Sequence, residues 1–417
     1  MSTPLSRRSF LQTLAALPAS RLASRLSFTT SRASPAGDTL VVVFLRGAAD
    51  GLNLAPPYGE PDYYNLRPTL GIPSPGDPQA SPAERAIDLD GFFGLHPALA
   101  PLLLAWQDQR LAIVQACGAP DESRSHFKAQ ELMERGVSDE SGPASGWLGR
   151  HLASLDTGSA SPLRALALGE RPPRSLSGGI PVAALHSITD FHYLGDSQSL
   201  AQLRAALAAL YTGPGALCQL GRDTLDLLHT LQGLDPASYQ PETSLVYPDT
   251  RFGQGLKQIA MLIKTEAGLE TAAIDLDGWD THFAQGSVSG VFARLAGELA
   301  AGLAAFYADL HRQMSRLSIV VMSEFGRRAR ENGSLGTDHG HGGVMLVMGG
   351  GVLGGKVYGD WPGLGQGQLV GPGDLAVTTD YRDVLAELCA KRLNNPAVSE
   401  IFPAYQPTFP GIFVSGG

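Results

Sequence analysis

The chain has 417 residues, of which 17% are charged and 43% apolar, and its formal net charge is −9. An average domain is roughly 25% charged, so this composition excludes a disordered or highly solvated chain and favours a large buried core. The acidic balance, without a long basic run, gives no support to nucleic-acid binding. No stretch of 18 or more apolar residues follows the N-terminal region, so we predict no transmembrane anchor.

The first 37 residues are typical of an export leader. A twin-arginine pattern, SRRSFL at residues 6–11, is followed by a short apolar stretch that ends at Pro18. Such leaders are read by a receptor for folded cargo, which suits a protein that acquires a metal before export. We therefore predict a leader over residues 1–37, recognition by the twin-arginine export machinery, and a periplasmic or extracellular location.

Several β-branched and apolar runs predict strands of the fully buried kind found in open α/β sheets. These runs are residues 38–45, 111–116, 163–168, 271–276, 317–322 and 344–348. Leucine and alanine at helical spacing predict a helical insertion near residues 196–270, and residues 356–363 are predicted to be a loop.

Acidic residues follow three of these runs. Asp50 comes after the first run, Asp280 after the fourth run, TAAIDL, and Glu324 after the fifth run, LSIVVM. Each one alone fits a turn residue, but ligands bind at the carboxyl ends of strands in open α/β sheets. Carboxylates gathered there repel one another unless a cation lies among them, so the pattern predicts one or two metals.

Histidines accompany these acids. Asp280 and His282 lie two residues apart, so an extended backbone would point both side chains to the same side. Asp338, His339 and His341 lie between glycines in a loop directly before the run 344–348. Carboxylate and imidazole are ligands of zinc-like ions, whereas the alternative is a turn with two solvated histidines.

A serine-rich helix start follows the strand 111–116. Ser123, Arg124 and Ser125 precede a helix that begins near HFKAQELMERG. Either serine could simply cap the helix, which is the commoner role. Alternatively, a hydroxyl could face an anionic substrate group, with Arg124 as a charge clamp. The segment does not distinguish Ser123 from Ser125.

The motifs, taken in order, resemble an exported family known as domain of unknown function 1501, which is grouped with the alkaline phosphatase and sulfatase superfamily. They are RGAADGLN, SRSHFKAQ, GWDTH, SEFGR and the DH loop before GGG. The resemblance runs from about residue 38 to the end and implies a single alkaline phosphatase-like α/β domain over residues 38–417. The implied fold is a sandwich with a large, mostly parallel sheet flanked by helices and a two-metal site at the strand ends.

The resemblance also implies roles for single residues. Asp50 resembles the first-strand aspartate that binds a metal and meets the nucleophile, and Ser123 or Ser125 lies where the superfamily places its nucleophile. Asp280 and His282 resemble the ligand pair of one metal, although phosphatases commonly space this pair four apart.

The remaining ligands align with the superfamily in two ways. Asp338 and His339 can be the pair at the second metal. Alternatively Glu324 takes that place, and His339 or His341 is the last histidine of the site. We prefer the second alignment because no histidine follows His341.

The resulting hypothesis is a metal-dependent hydrolase of phosphate or sulfate esters, with a small-molecule or glycan ester as substrate and Ser125 as the candidate nucleophile. The expected metal is zinc, with manganese, magnesium and calcium as alternatives. A second hypothesis is a non-catalytic, metal-containing binding protein of the cell envelope on the same fold. In a third, the metal only holds the fold together.

Overall fold

The computed structural model describes residues 38–159, 161–189, 197–234 and 236–416, so the predicted leader lies outside the described residues. The strands are β1 (Thr39–Leu45), β2 (Ile87–Asp88), β3 (Gly94–Leu95), β4 (Leu111–Gly118), β5 (Ala165–Leu168), β6 (Ala183–Leu185), β7 (Thr271–Leu276), β8 (Leu317–Met322), β9 (Gly343–Gly349), β10 (Lys356–Tyr358) and β11 (Thr379–Asp380).

The α-helices lie between groups of these strands along the chain. They are α1 (Gly51–Leu54), α2 (Pro61–Leu66), α3 (Leu103–Gln107), α4 (His126–Arg135), α5 (Trp147–Ser154), α6 (Ser197–Leu210), α7 (Ala216–Gln232), α8 (Arg251–Lys264), α9 (Val291–Asp309), α10 (Tyr381–Lys391) and α11 (Val398–Ile401). Short 3₁₀ helices cover Pro97–Leu102, Arg174–Leu176, Pro236–Ser238 and Met314–Arg316.

Nine of the described strands form one sheet in the order β10-β4-β9-β8-β1-β7-β5-β6, with β11 also paired to β4. All neighbouring pairs are parallel except the two that involve β9, which runs antiparallel to both β4 and β8. The predicted α/β class, with a large mostly parallel sheet flanked by helices, is confirmed. The segment 356–363 was predicted as a loop, but Lys356–Tyr358 pairs with β4 at the sheet edge.

Strand β1 shows why the sheet is buried on both faces. Its residues are all buried, and successive side chains point to opposite faces. Val41, Val43 and Leu45 belong to the apolar core that contains α8 and α9. Leu40, Val42 and Phe44 belong to the core on the other face, which contains α5, α10 and α11.

Helix α9 is long and apolar enough to cross a membrane by length and composition. Two-thirds of its apolar window (67%) is nevertheless buried inside the fold, where it packs against α8 and the 3₁₀ helix Pro97–Leu102. This burial is what a core helix of a layered α/β fold requires.

Candidate metal centre

The chain direction of four neighbouring strands gathers the predicted site residues at one edge of the sheet. Strands β7, β1 and β8 are parallel, so the loops after them leave from the same edge. Strand β9 is antiparallel to β8, so the loop before it, residues 336–342, also lies at that edge. A residue before β9 and residues after β1, β7 and β8 can therefore meet.

Three imidazole nitrogens converge on one carboxylate oxygen, and we call these four residues the Asp280 cluster. Nε2 of His282 and Nε2 of His339 each lie 3.1 Å from Asp280 Oδ1. Nε2 of His126 lies 3.4 Å from the same oxygen. Ligand atoms of His126, Asp280 and His339 all lie within 4.8 Å of one another, which is close enough to share one ion.

The other ring nitrogen of each histidine is held by an oxygen acceptor. These Nδ1 contacts run from His126 to Glu324 Oε1 (2.8 Å), from His282 to Asp338 Oδ1 (3.2 Å) and from His339 to the carbonyl oxygen of Arg124 (2.8 Å). Since carboxylates and carbonyls only accept, each Nδ1 donates and each Nε2 is directed at the cluster. Metal-binding histidines are oriented in this way by their outer partners.

The donor set fits a zinc-like ion. Nε2 of His282 lies 2.8 Å from Nε2 of His339, so a cation beside them could take a lone pair from each ring once neither Nε2 carries a proton. Burial tends to raise the pKa of Asp280, but hydrogen bonds from Arg327 and His339 outweigh it and lower that pKa to about 2. Burial lowers the pKa of His339 despite its contact with Asp280. The carboxylate is therefore ionised at neutral pH, and His339 is biased toward the neutral form that metals need.

Glu324 is buried and orients His126. Its Oε1 accepts from the Gly47 amide (2.9 Å), His126 Nδ1 (2.8 Å) and Gln130 Nε2 (2.8 Å). Burial alone would raise the pKa of Glu324, but these hydrogen bonds, that from His126 first, lower it to about 2. In the same contact the pKa of His126 is raised, chiefly by the hydrogen bond to Glu324. Direct metal binding by Glu324 stays a prediction, whereas its contact with a cluster histidine is observed.

Arg327 is a buried guanidinium that joins the loops around the cluster. It donates to the carbonyl oxygens of Ala48 (2.7 Å) and Thr337 (2.8 Å) and to Asp280 Oδ1 (2.8 Å). The loops fit tightly, since Gly47 has φ +112° and a Cβ there would lie 2.6 Å from the Asp280 amide nitrogen. Only glycine fits that position without displacing the backbone that carries Asp280.

Asp50 lies in a separate, buried polar network. Its Oδ2 accepts from Arg67 Nη1 (2.6 Å) and from Gln285 Nε2 (2.7 Å), and both charged side chains are fully buried. The Gln285 oxygen accepts in turn from the hydroxyls of Thr281 (2.9 Å) and Thr337 (2.7 Å). Metal binding by Asp50 stays a prediction, and the observed contacts make it the ion-pair partner of Arg67.

The two remaining residues of the histidine loop have different surroundings. Asp338 holds His282 and also accepts from Asn332 Nδ2 (3.0 Å), and its pKa is lowered mainly by Asn332. His341 Nε2 donates to the carbonyl oxygen of Ala119 (2.8 Å), just after β4. The loop thus places His339 in the Asp280 cluster and His341 against the segment that follows β4.

The serines and Arg124 lie at the start of α4. Ser125 is the exposed N-cap residue, and its side chain makes no capping hydrogen bond. The Ser123 hydroxyl accepts from the Ser125 amide (3.2 Å). The Arg124 guanidinium pairs with the buried carboxylate of Asp374. A nucleophilic role for either serine stays a prediction.

His126 and Arg327 are the residues that sequence reasoning missed. Both lie inside the motifs SRSHFKAQ and SEFGR, in which the serine hydroxyls and the strand-end acid are the more obvious candidates. The sequence signal for His126 was its position as the first residue of a helix that follows a buried strand. Nothing local marks Arg327, because its acceptors lie in distant loops.

Two solved structures are similar to this chain over most of its length. One is a phosphonate monoester hydrolase of Agrobacterium radiobacter, with 11% identity, a TM-score of 0.36, and coverage of 89% of this chain and 78% of that chain. The other is Ps i-CgsB in complex with k-i-k-neocarrahexaose, with 8% identity, a TM-score of 0.35, and coverage of 91% and 75%. A comparison with curated protein sequences finds no match.

The family comparison covers most of the chain. The family described as "Protein of unknown function (DUF1501)" matches residues 38–391, which include every residue of the Asp280 cluster. The family resemblance drawn from the motifs is thereby confirmed. The chain belongs to the DUF1501 family.

Proposed function

We propose that the protein is an exported, metal-dependent hydrolase of phosphate or sulfate esters that uses one ion at the Asp280 cluster. One observation carries the proposal. Three histidines donate through Nδ1 to fixed oxygens and present Nε2 around an ionised carboxylate. Three imidazoles and one carboxylate are a donor set for zinc, and manganese is the first alternative.

A bound ion would supply a Lewis acid for an ester oxygen and lower the pKa of a water or hydroxyl beside it. The protein's own groups supply orientation. Phe325 is buried, and its ring centroid lies 5.1 Å from that of His126 and 5.1 Å from that of His339. Arg327 is fully buried and donates to Asp280 Oδ1, whereas the Asp280 side chain is about half exposed, so a substrate would reach the cluster from the solvent side of Asp280.

Ser125 is our candidate nucleophile. It directly precedes His126, it is exposed, and its hydroxyl is not used for capping. A substrate oxyanion near it would also meet the first amides of α4, which favour negative charge. Ser123 is the alternative, although its hydroxyl already accepts from the Ser125 amide.

The test combines metal analysis with a panel of chromogenic phosphate monoesters, phosphate diesters and sulfate esters. We expect about one equivalent of metal per chain and turnover of at least one ester class. His339→Ala and Asp280→Ala should lose both. Matched controls are His311→Ala and Asp277→Ala, because both residues are exposed and lie outside the cluster. Retained metal in His339→Ala and His282→Ala would show that the ligand set is wrong.

The non-catalytic binding protein is the second candidate, and one observation favours it. The remaining ligand candidates of the sequence analysis already have partners: Glu324 contacts His126, Asp338 contacts His282, and His341 contacts the Ala119 carbonyl. Metal bound without turnover of any ester would select this candidate. Turnover that is lost in Ser125→Ala but kept in Ser123→Ala would select the enzyme.

Export by the twin-arginine route is part of the proposal and is supported by the SRRSFL pattern at residues 6–11. Replacing both arginines with lysines should retain the full-length chain in the cytoplasm. The readout is cell fractionation of the producing bacterium.

A further inference from the structure

Two exposed phenylalanines each follow a histidine of the Asp280 cluster in the chain. Phe127 follows His126 at the start of α4, and Phe283 follows His282 in the loop after β7. They are 89% and 78% exposed. Since consecutive Cα atoms lie about 3.8 Å apart, each ring is attached within reach of a ligand held by the neighbouring histidine. Single exposed apolar residues are common on protein surfaces, whereas apolar residues grouped around one site mark a binding surface.

A third exposed apolar residue, Leu335, belongs to the same group. Its carbonyl oxygen accepts from the amide of Gln285 (2.9 Å), so the loop that carries Leu335 pairs with the loop that carries Phe283. At the next position, a Cβ on Gly336 would lie 2.4 Å from the carbonyl carbon of His282, so this loop touches the backbone of a cluster histidine. We call this group the apolar rim, and its members are Phe127, Phe283 and Leu335.

The backbone at Leu335 is strained. Its φ is +56°, in the left-handed region that bulky L residues rarely adopt. The residue is exposed, so burial in the core does not compensate for this conformation. Strained residues of this kind cluster at active sites and ligand-binding sites. The conformation therefore points to a ligand for the Leu335 side chain from outside the fold.

The members of the apolar rim stand where the cluster faces solvent. The side chains of Asp280 and His282 are 48% and 42% exposed. An ester oxygen held at the cluster leaves the organic part of the substrate directed toward solvent, next to the rim. The three side chains of the rim carry no hydrogen-bonding group, so they cannot recognise hydroxyl groups. They stabilise a bound molecule by removing its apolar surface from water.

We propose that the apolar rim binds the organic group of the substrate, and that this group is an aryl or alkyl group of a small-molecule ester. Phe127, Phe283 and Leu335 are then specificity-determining residues, whereas the Asp280 cluster holds the anionic end. The ester part of this inference rests on the proposed function, but the affinity of the rim for an apolar group does not.

The experiment uses two probes that carry the same anionic group and no ester bond, phenylphosphonate and methylphosphonate. They are titrated calorimetrically into the full zinc-loaded chain. We expect phenylphosphonate to bind about tenfold more tightly, because the rim covers its phenyl group. Phe127→Ser and Phe283→Ser should each reduce this preference about threefold, since each removes part of the apolar surface. Both residues are exposed, so neither change removes a core contact.

Phe409 supplies the matched control, because it is an exposed phenylalanine at the other edge of the sheet. The centre of its ring lies 5.9 Å from Lys391 Nζ, at the end of α10. The carbonyl oxygen of the next residue, Arg392, accepts from the amide of Asp38 (2.9 Å), directly before β1. The cluster lies at the edge where β1 ends. Phe409→Ser should therefore keep the full preference for phenylphosphonate.

Three results would overturn the rim proposal: equal binding of the two phosphonates, no binding of either, or an unchanged preference in both phenylalanine variants. Binding of the parent to neutral phosphatidylcholine vesicles that is lost in Phe127→Ser would overturn it in favour of a membrane surface. Turnover of an ester without any preference for the phenyl group would refute the rim proposal and leave the proposed function standing. A phenyl preference without turnover of any ester would refute the proposed function and leave the rim proposal standing.

Discussion

The buried pair of Asp50 and Arg67 allows a sharp test of how the edge of the sheet is built. Both side chains are fully buried, with Arg67 Nη1 2.6 Å from Asp50 Oδ2. Arg67 also donates to Asn53 Oδ1 (2.7 Å) and to the carbonyl oxygens of Ala329 (2.9 Å) and Arg328 (2.9 Å). The perturbations are Asp50→Ala, Arg67→Met and the double variant.

Removing one partner of a buried pair costs about 3–5 kcal/mol, because the other charge stays buried without compensation. The loss of stability in Asp50→Ala should lie near the lower end of this range, since Arg67 keeps three neutral acceptors. Arg67→Met should lie near the upper end, since Asp50 keeps only the Gln285 amide and its Oδ1 has no hydrogen-bond partner among the described residues. The double variant should cost less than the sum of the two single changes.

The assay is equilibrium unfolding in denaturant. Its readout is the change in the midpoint concentration of denaturant between variants that share the same m-value, and metal content is measured on the same samples. The exposed Asp249 supplies a matched control, and Asp249→Ala should change stability by no more than about 0.5 kcal/mol. We expect Asp50→Ala to keep its metal. A variant Asp50→Ala that loses metal while its stability stays within about 1 kcal/mol of the parent would refute the structural role and make Asp50 a ligand.

Three further predictions concern the cluster and the core. Glu324→Gln should weaken metal binding by about 10–100-fold in a chelator competition, because it changes the partner that orients His126; unchanged affinity would contradict that orienting role. Gly47→Ala should destabilise the fold by about 1–3 kcal/mol in denaturant unfolding and lower metal content, through strain at a positive φ; parent-like behaviour would contradict the tight fit. Burial lowers the pKa of His96 and of His151 to about 4. The contribution of each neutral histidine to the free energy of unfolding is therefore fully present above about pH 6.5. It is lost as the pH falls toward 4, which amounts to about 3 kcal/mol for each histidine. Unfolding midpoints measured from pH 7 to pH 4 check this, and a flat profile would contradict neutral burial of both rings.

The strands of the sheet were readable from the sequence because both faces of the sheet are covered. A continuous apolar run such as Leu317–Met322 has no polar face and therefore marks its own limits. The edge strand β10 was missed because Lys356–Tyr358 is short and partly exposed and so carries no such run. His96 is a polar residue whose role is local, since it accepts from the Ala98 amide at the start of a 3₁₀ helix.

The part of the candidate site that could be predicted consists of residues next to buried strands, whereas contacts between segments far apart in the chain could not be predicted. Asp280, His282 and His339 stand next to buried runs, and the rule that ligands lie at strand ends selects them. The partner of Asp50 could not be predicted, since Arg67 lies in a proline-rich stretch without a periodic pattern. The local sequence of β9 also does not predict that this strand runs antiparallel to β8, although that direction brings His339 to the same edge of the sheet as Asp280.

The antiparallel strand β9 also has a consequence for biosynthesis. It fills the gap between β4 and β8, two strands that are both made earlier than β9 on the ribosome. Until Gly343–Gly349 has emerged, the middle of the sheet stays open and His339 has no fixed place. A nascent chain therefore lacks one histidine of the Asp280 cluster, and contacts of such long sequence separation form slowly. The cluster is completed only in the finished polypeptide, and we expect a chain interrupted before β9 to be cleared by proteases rather than accumulate.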